Sequence, residues 1–204
     1  MGSILGKDAS QVAVELIEQQ LQMLPVAIAT ILRPTEAGDV DPELVRRVLK
    51  RKPALPKTGS GGNIVARYAD GDNILDFHAS NKALHDDPQR QMYFLRMVIS
   101  NAILAVGMFF REHEMAAVRI PEIQFLGRIV DGILNLNTFQ IDTDYVPKAA
   151  FDGLIVDASL NGTPVFGDGS GAGLMEFGDG VALLQWLSRY LRGEKNFVSG
   201  GDAG

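Results

Sequence analysis

The sequence predicts an α+β protein, with buried central helices packed against short antiparallel β-hairpins and preceded by an α-helical N-terminal arm. Three observations predict it. Apolar residues recur at helical spacing over 92–110 and again over 123–134. From Asn137 the period changes to two, with Phe139, Ile141, Thr143 and Tyr145 on one face and Gln140, Asp142 and Asp144 on the other. Asp70-Gly71 and Asn161-Gly162, each between short β-like runs, are turn dipeptides of the kind that close hairpins.

The arm begins with Asp8 and Ser10, either of which can cap a helix carrying Val12, Leu16, Ile17, Leu21 and Leu24 on one stripe. Pro25 is expected to end or kink that helix, since it lacks an amide N–H and its ring crowds the preceding turn. The apolar run 26–32 is too short for periodicity to choose between strand and buried helix. Asp41-Pro42-Glu43 marks a second helix start, and Pro53 ends that helix near Lys50. The arm therefore spans 1–52. Residues 53–62, PALPKTGSGG, begin stiff and end flexible, which is linker chemistry.

The main domain is placed at 63–197. Runs 63–68 and 73–77 flank Asp70-Gly71 as a first hairpin. Asp86-Asp87-Pro88 opens a long helix whose stripe is Met92, Leu95, Ile99, Ala102, Ile103, Val106 and Phe110. Phe94, Val98 and Phe109 widen that stripe, so this is the expected central helix. Pro121 opens another, with Ile123, Leu126, Ile129, Val130, Ile133 and Leu134 facing inward. Runs 154–157 and 163–166 are expected to pair across Asn161-Gly162. A last helix, 181–191, carries Leu183, Leu184, Leu187, Tyr190 and Leu191 on one stripe beside Trp186. The tail 198–204 is expected to be disordered.

Composition narrows the function classes. The 204 residues are 46% hydrophobic and 22% charged, in the range of folded proteins. A formal net charge of −6 disfavours nucleic acid as the default partner. With no cysteine, disulfides, thiolate metal sites and thiol catalysis are excluded. Residues 1–10 contain only Ile4 and Leu5 as large apolar side chains, so no signal peptide is expected; Gly6 stands where a myristoylation motif wants Ser or Thr. No uncharged run, 97–110 included, exceeds fourteen residues, and a membrane span needs about 20. A soluble chain, cytoplasmic or within a soluble assembly and without a transmembrane segment, is the expectation.

The glycine-rich stretch TPVFGDGSGAGLMEFGDG, 163–180, lies between an apolar run and a helix, the layout of a phosphate cradle. Gly167, Gly169, Gly171 and Gly173 alternate at every second position instead of following G-x-G-x-x-G, and no lysine or arginine lies between Lys148 and Arg189. Asp168, Glu176 and Asp179 would repel phosphate. The same acids suggest Ca²⁺. Counted as a twelve-residue loop from Asp168, Ser170 stands at three, Gly173 at six, Glu176 at nine and Asp179 at twelve. Ala172 at five offers no side-chain oxygen, and no helix precedes the loop. A surface loop whose Asp179 caps the final helix explains the same residues. No other cofactor is implied.

Arg46, Arg47, Lys50, Arg51, Lys52 and Lys57 concentrate six positive charges in twelve residues, leaving −12 on the remainder. Such asymmetry marks a contact with an acidic partner, although a solvated helix end accounts for it as well. His113-Glu114 begins like a zinc-protease helix, but Ala117 stands where the second histidine belongs. His78 and His85 near Asp86 and Asp87 lack a spacing that fixes a metal geometry. Ser170 lacks a G-x-S-x-G elbow, and Asp142 and Asp144 are equally a solvated strand face. Asn161-Gly162-Thr163 forms a glycosylation sequon and also a turn.

No coherent catalytic constellation emerges. The expected function is a non-catalytic interaction or assembly subunit, a homo-oligomer or a component of a multi-protein complex, whose arm docks on a neighbouring copy or partner. The alternative is a small-ligand or cation-binding protein, or an enzyme, working through the 167–180 loop.

Overall fold

In a computed structural model, the described residues are 8–32, 82–84, 86–141, 148–167 and 173–194. They form an α+β fold of long helices with one small antiparallel sheet. The chain divides into two compact units, Met1–Leu32 with Pro88–Gly204, and Arg33–Asp87. The first hairpin, the second arm helix, the linker and the tail all lie outside the described residues.

Helix α1 is Ala9–Leu32, and it runs through Pro25 instead of ending there. Val26–Leu32 is thereby helical, and the Thr30 hydroxyl donates to the Val26 carbonyl at 2.9 Å. Proline forfeits one amide donor but leaves the following turns able to bond, so packing of the surrounding face decides the outcome. That face is Ala13, Ile17, Leu24 and Ile31, all buried. The first helix of the expected arm thus packs into the same unit as the body, against α2 and α4, defined next.

Helix α2, Pro88–Glu112, starts at the proline the sequence marks and buries Leu95, Ile99, Ala102, Ile103, Val106, Gly107 and Phe110. Its first turns do not follow the stripe inward: Met92, Phe94 and Met97 are exposed. By length and composition α2 is apolar enough to cross a membrane, with mean hydropathy 1.7 in its most apolar window; the fourteen-residue uncharged run understates it. In this fold its buried stripe packs against α1, α3 and α4. Gly107 permits the close approach to α3, because a Cβ there would overlap the Val130 side chain.

Helix α3, Pro121–Leu134, has proline in its first turn and buries Ile123, Phe125, Leu126, Ile129 and Val130. Leu134, expected inside, is exposed. The helix ends where Leu136 (φ 55°) and Asn137 (φ 63°) turn left-handed, and the Thr138 N–H closes back on the Gly132 carbonyl at 2.9 Å.

The expected pairing of 154–157 with 163–166 is replaced by another. Strands β1 (Ala149–Phe151) and β2 (Leu154–Val156) pair antiparallel, Ala149 opposite Val156 and Phe151 opposite Leu154. The reason is the turn between them: Asp152 (φ 46°) and Gly153 (φ 82°) adopt the consecutive positive φ of a two-residue hairpin. Asn161-Gly162 also reverses the chain, but toward a different neighbour. Phe139 N–H donates to the Thr163 carbonyl at 2.9 Å and Gly162 N–H to the Phe139 carbonyl at 2.8 Å. Phe139 and Ile141 are buried and Gln140 exposed, as the period of two requires. The Asn161 side chain accepts from the Ile141 N–H at 2.9 Å.

Helix α4, Phe177–Leu191, begins four residues before the position expected from its leucines and buries Leu183, Leu184 and Leu187. One contiguous core joins these leucines to Ile17 of α1, Ile103 of α2, Ile129 of α3 and Val165. Phe125 and Phe151, with ring centroids 5.9 Å apart, extend it beneath the sheet.

Candidate functional site

The start of α3, the β1–β2 turn and one face of α4 enclose a cleft of about 180 Å³. Glu122 comes from the first turn of α3, immediately after Pro121. Phe151 and Asp152 come from the end of β1 and its turn, which the positive φ of Asp152 and Gly153 fixes in place. Gln185, Trp186 and Arg189 line the α4 side, at helical spacings of three and four that put Gln185 and Trp186 each next to Arg189. Trp186 is stacked on Tyr190 at 5.2 Å with rings 6° from parallel, which restrains the indole.

Glu122 is the unusual member. It is only 7% exposed, yet it makes no hydrogen bond or ion pair among the described residues. The helix N-terminus favours negative charge there, and the carboxylate oxygens themselves are not fully buried. Arg189 and Asp152 are both exposed, and Arg189 pairs with neither carboxylate. The cleft is therefore lined by two carboxylates and a guanidinium that do not pair with one another, beside the Gln185 amide and the rings of Phe151 and Trp186.

The glycine-rich stretch is described on both sides of 168–172. Leu174 N–H donates to the Pro164 carbonyl at 3.0 Å and Met175 N–H to the Val165 carbonyl at 2.8 Å, which lays 173–175 alongside 164–167. Gly173 lies so near Phe166 and Gly167 that a Cβ would collide with their backbone. The Asn137 side-chain amide holds the Phe166 peptide from the other side, donating to its carbonyl at 2.9 Å and accepting from its N–H at 3.0 Å. Glu176 is the N-cap of α4. Its N–H donates to Asp179 Oδ2 at 2.7 Å, and its own carboxylate accepts from the Asp179 N–H, a reciprocal capping box. Both carboxylates of the expected cation loop that are described thus take part in starting a helix. Asp168 and Ser170 lie outside the described residues, as do Arg46, Arg47, Lys50, Arg51, Lys52, Lys57, His78, His85, Asp142 and Asp144.

Among the described residues, no three His, Asp or Glu side chains gather as a metal ion requires. The His113 ring lies against Phe109, with centroids 4.1 Å apart and the planes tilted by 36°. Asp157 accepts from the Ser159 hydroxyl and from its N–H at 2.9 Å, and these bonds hold its carboxyl below the ordinary 3.8.

Sequence reasoning did not single out the cleft. The available signal was Glu122 itself, an acid three and four residues before Phe125 and Leu126, on the apolar stripe of its helix. The meeting of α3, the β1–β2 turn and α4 leaves no mark in the sequence. No protein-family model, curated protein or solved structure matches this chain.

Proposed function

We propose that the chain is a non-catalytic protein–protein interaction subunit, assembling with further copies of itself or within a larger complex. The observation that carries this reading is the apolar surface left on two core helices. Met23, Val26 and Leu32 on α1, and Met92, Tyr93, Phe94 and Met97 on α2, are each between 38% and 63% exposed. Methionine, aromatic rings and arginine are the composition of interface centres. On α2 they are already arranged: Tyr93 and Phe94 meet edge-on at 6.3 Å, and the Arg96 guanidinium lies 4.7 Å from the Tyr93 ring centroid.

The charge partition supports a docking element. Arg46, Arg47, Lys50, Arg51, Lys52 and Lys57 oppose a remainder of −12, so the basic stretch of one copy is attracted to the body of the next. With α1 packed in the core, docking falls to the arm residues that follow it. The same charge balance argues against nucleic acid, and the packed α2 stripe favours a soluble setting, cytoplasmic or inside an assembly.

Light scattering after size exclusion tests this at about 0.1 M and about 1 M salt, across which screening shortens from roughly 10 to 3 Å. The expected result is a mass above the 22.1 kDa monomer at the lower salt, reduced by Tyr93→Glu and by charge reversal at Arg46, Arg47, Lys50 and Arg51. A monomer at both salts would sink the homo-oligomeric form.

The second reading is a small-ligand or cation-binding protein, or an enzyme, using the 167–180 loop. What favours it is the apposition of Gly173 with Gly167, which fixes both flanks of 168–172. A Ca²⁺-dependent rise in melting temperature that disappears in Asp168→Ala would support it.

A further inference from the structure

We propose that the cleft between α3, the β1–β2 turn and α4 binds an organic cation, an ammonium or guanidinium head received by Glu122. This goes beyond the assembly reading and does not rest on it. Glu122 is 7% exposed as a residue and makes no hydrogen bond or ion pair among the described residues, while its carboxylate oxygens stay accessible, so a ligand entering the cleft can reach them. Asp152 adds a second carboxylate at the rim, so despite Arg189 the cleft carries an excess of negative charge. Phe151 and Trp186 line the same cleft, so an organic cation would sit beside apolar rings as well as carboxylates.

The size and the donor set restrict the ligand. About 180 Å³ is well below the ~300–1,000 Å³ of pockets for drug-sized molecules, so a nucleotide does not fit and a single cationic side chain or free amine does. A divalent metal wants more oxygen ligands than two carboxylates supply, and no third acid or histidine joins them among the described residues. Arg189 and Gln185 at the rim suit a carboxylate or carbonyl attached to the same ligand, as in an amino acid.

Trp186 is the chain's only tryptophan and lines the cleft, so its fluorescence reports occupancy directly. The full chain is titrated with free L-arginine, with n-butylammonium chloride, with a peptide of residues 44–58, and with calcium chloride and sodium acetate as controls. A saturable change in Trp186 emission is expected with one or more of the cationic organic probes, and none with calcium or acetate. Saturation by the free amines identifies a small-molecule ligand; saturation by the peptide alone identifies a basic side chain as the occupant. Glu122→Gln is expected to weaken the response at least tenfold, and Asp152→Asn several-fold, with far-UV circular dichroism unchanged. Asp152 is exposed, so its variant decides the matter if Glu122→Gln does not fold. The proposal is overturned by no saturable change with any cationic probe, by an equal response to calcium or acetate, or by wild-type titration in the folded variants.

Discussion

Replacing Gly173 with alanine tests how the glycine-rich stretch is built. The new methyl group would fall onto Gly167 N and the Phe166 backbone, atoms that cannot swing aside as a side chain can. The two segments must separate. Separation strains or breaks the Leu174 to Pro164 and Met175 to Val165 hydrogen bonds, together about 2 kcal/mol at ~1 kcal/mol each. It also begins to expose Met175, which is fully buried, for roughly another 1 kcal/mol. Against this, alanine restricts the unfolded chain and returns ~0.4–1 kcal/mol. The loss dominates, and a net destabilisation of about 2 kcal/mol is expected. Urea unfolding followed by Trp186 emission measures it, with the midpoint falling by ~1 M for a slope near 2 kcal/mol/M. Gly178→Ala is the control, because a Cβ at that helical position meets nothing within 4 Å. It is expected to be neutral or stabilising by up to ~1 kcal/mol. A Gly173→Ala midpoint at or above wild type would refute the apposition of 164–167 with 173–175.

Three further outcomes follow from local geometry. Leu136 is 92% exposed at φ 55°, a conformation that costs an L-residue ~1–2 kcal/mol, so Leu136→Gly is expected to raise stability by about 0.5–1 kcal/mol in the same urea assay. Asn137→Ala removes both bonds to the Phe166 peptide and leaves the left-handed φ of 63° in place; a loss of ~2–3 kcal/mol is expected, and a loss below ~0.5 kcal/mol would contradict the amide clamp. Asp157 has a folded pKa below 3.8, so its contribution is fully present above that pH and is lost as pH falls through the lower folded value. Carboxyl NMR titration should show Asp157 protonating below 3.8 and moving up toward it in Ser159→Ala; titration at or above 3.8 in the wild type would contradict the Ser159 bonds.

Much of the fold is legible in the sequence, and the reasons are local. Pro88 and Pro121 mark two helix starts because proline is tolerated in a first turn and little further on. The α2 stripe from Leu95 to Phe110 and the leucines of α4 announce their buried faces through a spacing near 3.6. Asp179 is legible as a cap, although the sequence alone does not reveal that Glu176 is the N-cap and Asp179 its reciprocal partner. The concentration of positive charge at 46–57 is likewise a property of order along the chain.

The tertiary structure decided the rest. Pro25 carries a breaking signal, yet α1 continues because Leu24 and Ile31, on either side of it, are both buried. Asp152-Gly153 and Asn161-Gly162 are both competent turns, and strand partners are chosen by what packs beneath them. Phe151 packs over Phe125, while Phe139 takes 162–163 as its neighbour. The sequence by itself thus determined where α2 and α3 start and the apolar stripes of α2 and α4, since periodicity and capping act over a few residues. Only the tertiary structure brought Glu122, Asp152 and Arg189 to one cleft, because three separate elements must meet before any of them has a neighbour.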